Sequence, residues 1–125
     1  MRAQLFLAAL TTVLAVNHPC GSNDPVVAVR FVFDMTDSDH DGVIDFNEGV
    51  RLQDVTNPDL PLVWRDWAAL CRAVRVSSLY GMDLQAFAKT YLDPRLSQAI
   101  GSDVFADRHV ICSRHTWLIG PPGSY

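Results

Sequence analysis

Residues 37–48 read DSDHDGVIDFNE and place carboxylates at Asp37, Asp39, Asp41, Asp45 and Glu48. Five like charges this close repel one another unless a cation compensates them. The first three alternate along the chain, so their side chains converge from one side of a turn, and Gly42 allows the backbone to reverse sharply. Donor chemistry of this kind suits a hard divalent cation, since Ca²⁺ takes about six to eight oxygen ligands at roughly 2.3–2.6 Å. A merely solvated acidic turn would leave the crowding unexplained. The acid is also concentrated here: Glu48 is the only glutamate among 14 acidic residues, and four of the aspartates fall between Asp37 and Asp45.

Helices must present such a loop, and the flanking sequence predicts them. Asn23 or Asp24 can cap a helix over 25–36, with Pro25 at its first position and Val29, Val32 and Phe33 at helical spacing. After the acidic run a short helix is expected over 46–55, weakened by Gly49, which costs about 1 kcal/mol relative to Ala in a helix interior. Pro58 and Pro61 mark a linker. A third helix over 62–74 aligns Val63, Trp67, Leu70, Cys71 and Val74 on one stripe, so Trp64 and Trp67 are read as rim and core packing rather than a partner-binding hot spot. Ser and Gly in RVSSLYGMD indicate a turn, and Leu84, Phe87, Ala88 and Tyr91 then line a fourth helix that stops at Pro94. One more short helix is expected within SQAIGSDVFADRH, and GPPGSY is expected to be unstructured. No long alternating strand is present, so the fold class is all-α.

With Asp37 as the first of twelve loop positions, DSDHDGVIDFNE and the apolar helix VVAVRFVF before it resemble the EF-hand calcium-binding family. A register starting at Asp34 puts Thr36 and Ser38 at ligand positions and loses the glycine. The resemblance implies metal ligands from Asp37, Asp39 and Asp41, the backbone carbonyl of Val43, Asp45 through a water, and both oxygens of Glu48. It also implies that Ile44 pins the loop into a short two-stranded pairing with a second hand. Aligning Ile44 with Met82 puts that second loop at 75–86, where Arg75, Ser77, Leu79 and Ala86 stand at ligand positions. Only Ser77 and Asp83 offer oxygens, so this is a degenerate hand that supports the first, the alternative being a plain helical hairpin. The implied organisation is an EF-hand pair over 16–93, with a first hand at 25–55 and a degenerate second hand at 62–93, followed by an extension over 94–125. Thr36 and Gly49 depart from the apolar residues usual beside the loop. With only Met1, Met35 and Met82, the chain also lacks the Met-rich surface of a calcium sensor.

Composition narrows the function further. At 125 residues with 49% apolar content the chain supports one globular core, and a net charge of -4 gives no basic footprint for nucleic acid or an anionic membrane. The first residues match a signal peptide over 1–15: Arg2, an apolar run from Leu5 too short to span a bilayer, and VLA as a cleavage site after Ala15. A buried first helix over 3–16 is the competing account. Three cysteines cannot all pair within one chain. In an oxidising compartment Cys20 is expected to bond to Cys112, because Cys71 sits in a helical apolar pattern that suits a buried free thiol. His109, Cys112 and His115, with His18 and Cys20, form a loosely spaced alternative zinc set. No nucleophile motif or phosphate-cradling loop is present, so the chain is expected to be non-catalytic. The expected function is therefore binding of one Ca²⁺, either in a secreted protein with a structural or matrix role or in a cytoplasmic buffer or modulator acting through an unknown protein partner.

Overall fold

The computed structural model describes residues 20–114. The expected signal segment, His18, His115 and the GPPGSY end lie outside the described residues. Among the described residues the chain forms six helices and no strand: α1 (Pro25–Thr36), α2 (Phe46–Thr56), α3 (Trp64–Ala73), α4 (Leu84–Leu92), α5 (Pro94–Ile100) and α6 (Val104–Ser113). None is long and apolar enough to cross a membrane.

Aspartate begins almost every helix. The side chains of Asp24, Asp45, Asp83, Asp93 and Asp103 each accept a hydrogen bond from a first-turn backbone N–H of α1, α2, α4, α5 and α6. These bonds satisfy donors that have no partner within the helix, and the carboxylate charge opposes the helix dipole. Only α3 lacks a side-chain cap. It starts at Trp64 rather than 62, since Val63 is still extended with φ -109° and ψ 158°. The single short helix expected over 97–109 is instead two: α5 closes at Gly101 in a left-handed C-cap with φ 67°, and Asp103 starts α6. Pro94 ends α4 and also occupies the first turn of α5, with Asp93 capping both.

Val29, Val32, Phe33, Ile44, Trp67, Cys71, Met82, Phe87 and Ile111 form one core. Its aromatic centre is an edge-on pair, Phe33 and Phe87, with centroids 5.5 Å apart. Helix α6 packs on α1 and α2, so residues 94–114 of the expected extension belong to the same core. A disulfide joins Cys20 to Cys112 with Cα atoms 6.1 Å apart, while Cys71 is a buried free thiol whose pKa burial pushes up to about 11. Beside the disulfide, the buried Arg108 donates to the Ser22 carbonyl at 2.5 Å.

The two interhelical loops meet at one antiparallel bridge. Ile44 N donates to the Met82 carbonyl at 2.7 Å, and Met82 N returns to the Ile44 carbonyl at 2.9 Å. Gly81 makes this approach possible: at φ +98° its added Cβ would lie 2.1 Å from the Ile44 oxygen, so only a residue without a side chain fits.

Candidate metal centre

Helix α1 delivers the first carboxylate. Asp37 is the C-cap of α1, its N–H donating to the Phe33 carbonyl at 2.8 Å, and it is only 5% exposed. Just before it the buried Thr36 is tolerated because its hydroxyl donates to the Val32 carbonyl at 2.7 Å. The loop then coils around its own acids. Gly42 N donates to Asp37 Oδ2 at 3.0 Å, Asp41 N reaches Asp37 Oδ1 and Asp39 Oδ1, each at 3.3 Å, and Val43 N donates to Asp41 Oδ1 at 3.0 Å. His40 and Gly42 adopt φ +56° and +84°, and the His40 side chain is exposed.

Helix α2 delivers the closing carboxylate through a reciprocal cap. Glu48 N donates to Asp45 Oδ1 at 2.9 Å while Asp45 N donates to Glu48 Oε1 at 3.1 Å. The other Glu48 oxygen, Oε2, accepts from Ser38 N at 2.7 Å and from the Ser38 hydroxyl at 3.1 Å. Ser38 is a residue that loop spacing alone did not single out. Its signal was available only as a hydroxyl next to the first acid. Gly49, atypical on sequence grounds, also has a packing reason: an added Cβ would meet Trp67 Cζ3 at 3.0 Å and Leu62 Cδ2 at 3.3 Å.

Asp37, Asp39, Asp41 and Glu48 each offer one carboxylate oxygen, and these atoms lie within 4.8 Å of one another. Oxygens bound to one ion at roughly 2.3–2.6 Å stand at most about 4.6–5.2 Å apart, so the four acids are close enough to share one metal ion. Asp45 is not part of this group, its side chain being engaged as the α2 cap. Val43 is half-buried, next to the bridged Ile44. Burial pushes the Asp37 carboxyl above its ordinary value against the opposing Gly42 N–H, and hydrogen-bonded Asp41 and Asp39 add to the rise. Glu48 is likewise raised, first by burial, against the N–H groups of Asp45 and Ser38. In both acids burial, the first cause of the rise, opposes ionisation.

The second loop contains no comparable set. Asp83 caps α4, accepting from Ala86 N at 2.8 Å, and the Ser77 hydroxyl accepts from Leu79 N at 3.2 Å. Arg75 is exposed at φ +62°, and Leu79 and Tyr80 are 78% and 79% exposed. Trp67 pins this loop instead, its indole N–H donating to the Ser78 carbonyl at 3.1 Å. The zinc alternative loses its thiolates, because Cys20 and Cys112 are bonded to each other, and His109 is exposed. Comparison with protein-family models, with curated proteins and with solved structures finds no match to this chain.

Proposed function

We propose that the chain binds one Ca²⁺ in the loop 37–48 and that its architecture is an EF-hand pair. In this reading α1 and α2 flank the binding loop, α3 and α4 flank a loop without metal, and the Ile44–Met82 bridge is the pairing between them. The observation that carries the proposal is the convergence of four carboxylate oxygens, from Asp37, Asp39, Asp41 and Glu48, within 4.8 Å. Asp37, Asp39 and Asp41 supply side-chain oxygens, Val43 its carbonyl, Asp45 a contact through water, and Glu48 both oxygens. The bound ion neutralises charge that the loop otherwise holds at a cost. Ser38 and Asp45 hold the Glu48 carboxylate in place from two sides. The role is non-catalytic.

The Cys20–Cys112 disulfide favours the exported form of this function over the cytoplasmic buffer or modulator, because such bonds persist in oxidising compartments. A structural or matrix role then follows naturally, with the ion acting as a second clamp beside the disulfide. Isothermal titration tests the core of the proposal: one calcium per chain is expected, and Glu48→Gln should abolish or strongly weaken it. An absence of heat at millimolar calcium would overturn it.

A further inference from the structure

Helix α6 packs on both α1 and α2, the helices that carry the acidic loop between them. Asp37 is the C-cap of α1 and Glu48 lies in the first turn of α2, so the separation of the first and last acids of the loop follows from how these two helices are held. Val104 and the fully buried Ile111 sink α6 into the shared core. The next residue, Cys112, is bonded to Cys20 in the segment that leads into α1.

That segment is tied to both helices. The Arg108 guanidinium on α6 donates to the Ser22 carbonyl, the Ser22 hydroxyl accepts from Asp24 N at 3.1 Å, and Asp24 accepts from Val26 N at 2.9 Å as the cap of α1. Ser22 and Arg108 are buried, so the link is shielded from water. A helix of ten residues has little stability apart from what it packs on. With the disulfide closed, α6 cannot leave α1 and α2 without dragging the segment that starts α1. With it open, the two ends of the link are 92 residues apart along the chain and α6 is free to lift. A helix pair without this splint no longer fixes where Asp37 and Glu48 stand, and ion binding must then carry the cost of ordering them.

We propose that closing the Cys20–Cys112 disulfide switches on the calcium loop, by holding α6 across α1 and α2 so that Asp37 and Glu48 are set in place before the ion arrives. This regulation rests on the calcium reading above. The exchange needs only a small-molecule disulfide: the thiolate of one cysteine attacks it and releases a first thiol, the second cysteine then displaces the other, and the two thiols that leave carry off the two electrons and two protons of the protein dithiol. Cys20 and Cys112 are half-buried and within reach of such a partner, whereas Cys71 is fully buried, has its pKa pushed up to about 11, and takes no part. A chain made under reducing conditions therefore holds calcium weakly and gains affinity on reaching an oxidising compartment.

Calcium titration calorimetry on the full chain, oxidised and then reduced with excess dithiothreitol, tests the switch. Reduction should raise the calcium dissociation constant by about tenfold or more. Equal constants overturn the proposal and leave the calcium reading standing, whereas no binding by the oxidised chain overturns both. A second measurement covers a reduced chain that loses its fold: the ratio of dithiothreitol to its cyclic disulfide at which half the chains are reduced, read by alkylating Cys20 and Cys112 and mapping them by mass spectrometry. Because coupling between two sites is reciprocal, saturating calcium should raise that ratio by about tenfold or more, and an unchanged ratio overturns the proposal. In Glu48→Gln calcium should leave the ratio where it is, and a shift as large as that of the natural chain also overturns it.

Discussion

The two loops joined by the Ile44–Met82 bridge solve the same backbone problem with opposite chemistry. Residues 37–48 hold their turn through carboxylates that accept the loop's own N–H groups, so the hydrogen bonds that shape the loop also gather its negative charge. The second loop is shaped by neutral groups, the Trp67 indole and the Ser77 hydroxyl, and points Leu79 and Tyr80 into water. The first thus gathers like charge at an electrostatic cost that, on the proposed reading, a cation would offset, while the second gathers no comparable set of acids. The two loops are therefore coupled through the bridge although only one of them gathers a set of carboxylates.

The largest effect should come from supplying that cation. At a free calcium concentration about 1,000 times the dissociation constant, binding to the folded state alone adds about 4 kcal/mol of stability. For a domain of this size that corresponds to a rise in melting temperature of roughly 15–30 °C over chelated protein. Identical melts with calcium and with chelator would remove the contrast between the loops.

Next in size is a break in the bridge itself. Gly81→Ala places a methyl 2.1 Å from the Ile44 oxygen, so the loops must separate, at a cost of about 3 kcal/mol or more by urea melt. Gly42→Ala provides the comparison: its φ is +84° but nothing lies within 4 Å of the new Cβ, so about 1–2 kcal/mol of backbone strain is expected. Equal costs would show that the close approach at Gly81 is unimportant.

Removing the clamp on Glu48 sharpens the difference at the level of one hydrogen bond. Ser38→Ala deletes the hydroxyl donor to Glu48 Oε2 but leaves the backbone donor, so calcium affinity should fall by about tenfold while Ser77→Ala in the other loop leaves it unchanged. Titration calorimetry on both variants reads this directly.

The smallest effect is the pH dependence. Asp37 and Glu48 have raised folded-state pKa values, so between the ordinary carboxylate range and those raised values the folded protein binds more protons than the unfolded chain. Metal-free stability from these groups is therefore highest on the acid side and declines as pH rises through the raised values. Asp107, raised by burial, contributes with the same sign. Glu48→Gln should flatten this slope in chelator melts. With calcium the sign reverses, because protons compete with the ion for the same oxygens, and affinity should fall as pH is lowered.

Much of the local structure was legible because it depends on contacts a few residues apart. The expected 25–36 helix matches α1, whose cap Asp24 with Pro25 was visible in sequence, and α2 begins at Phe46 as expected, although the cap formed by Asp45 with Glu48 was read only as a pair of metal ligands. The pairing of Cys20 with Cys112 followed from the apolar setting of Cys71. The break at Gly101 shows the limit: one short helix was expected within SQAIGSDVFADRH, and the left-handed cap at Gly101 divides that stretch between two.

By itself, the sequence determined the helical class of the chain, the span of α1, the start of α2 and the spacing of the acidic loop, all of which are encoded within about a dozen residues of chain. Tertiary structure alone decided that Gly81 touches Ile44, that Gly49 lies beneath Trp67, that α6 closes on α1 and α2, and that Asp37, Asp39, Asp41 and Glu48 meet while Asp45 turns aside to cap a helix. The reason is physical: close packing and convergence depend on how separate elements approach in space, and such approaches leave no periodic mark along the chain.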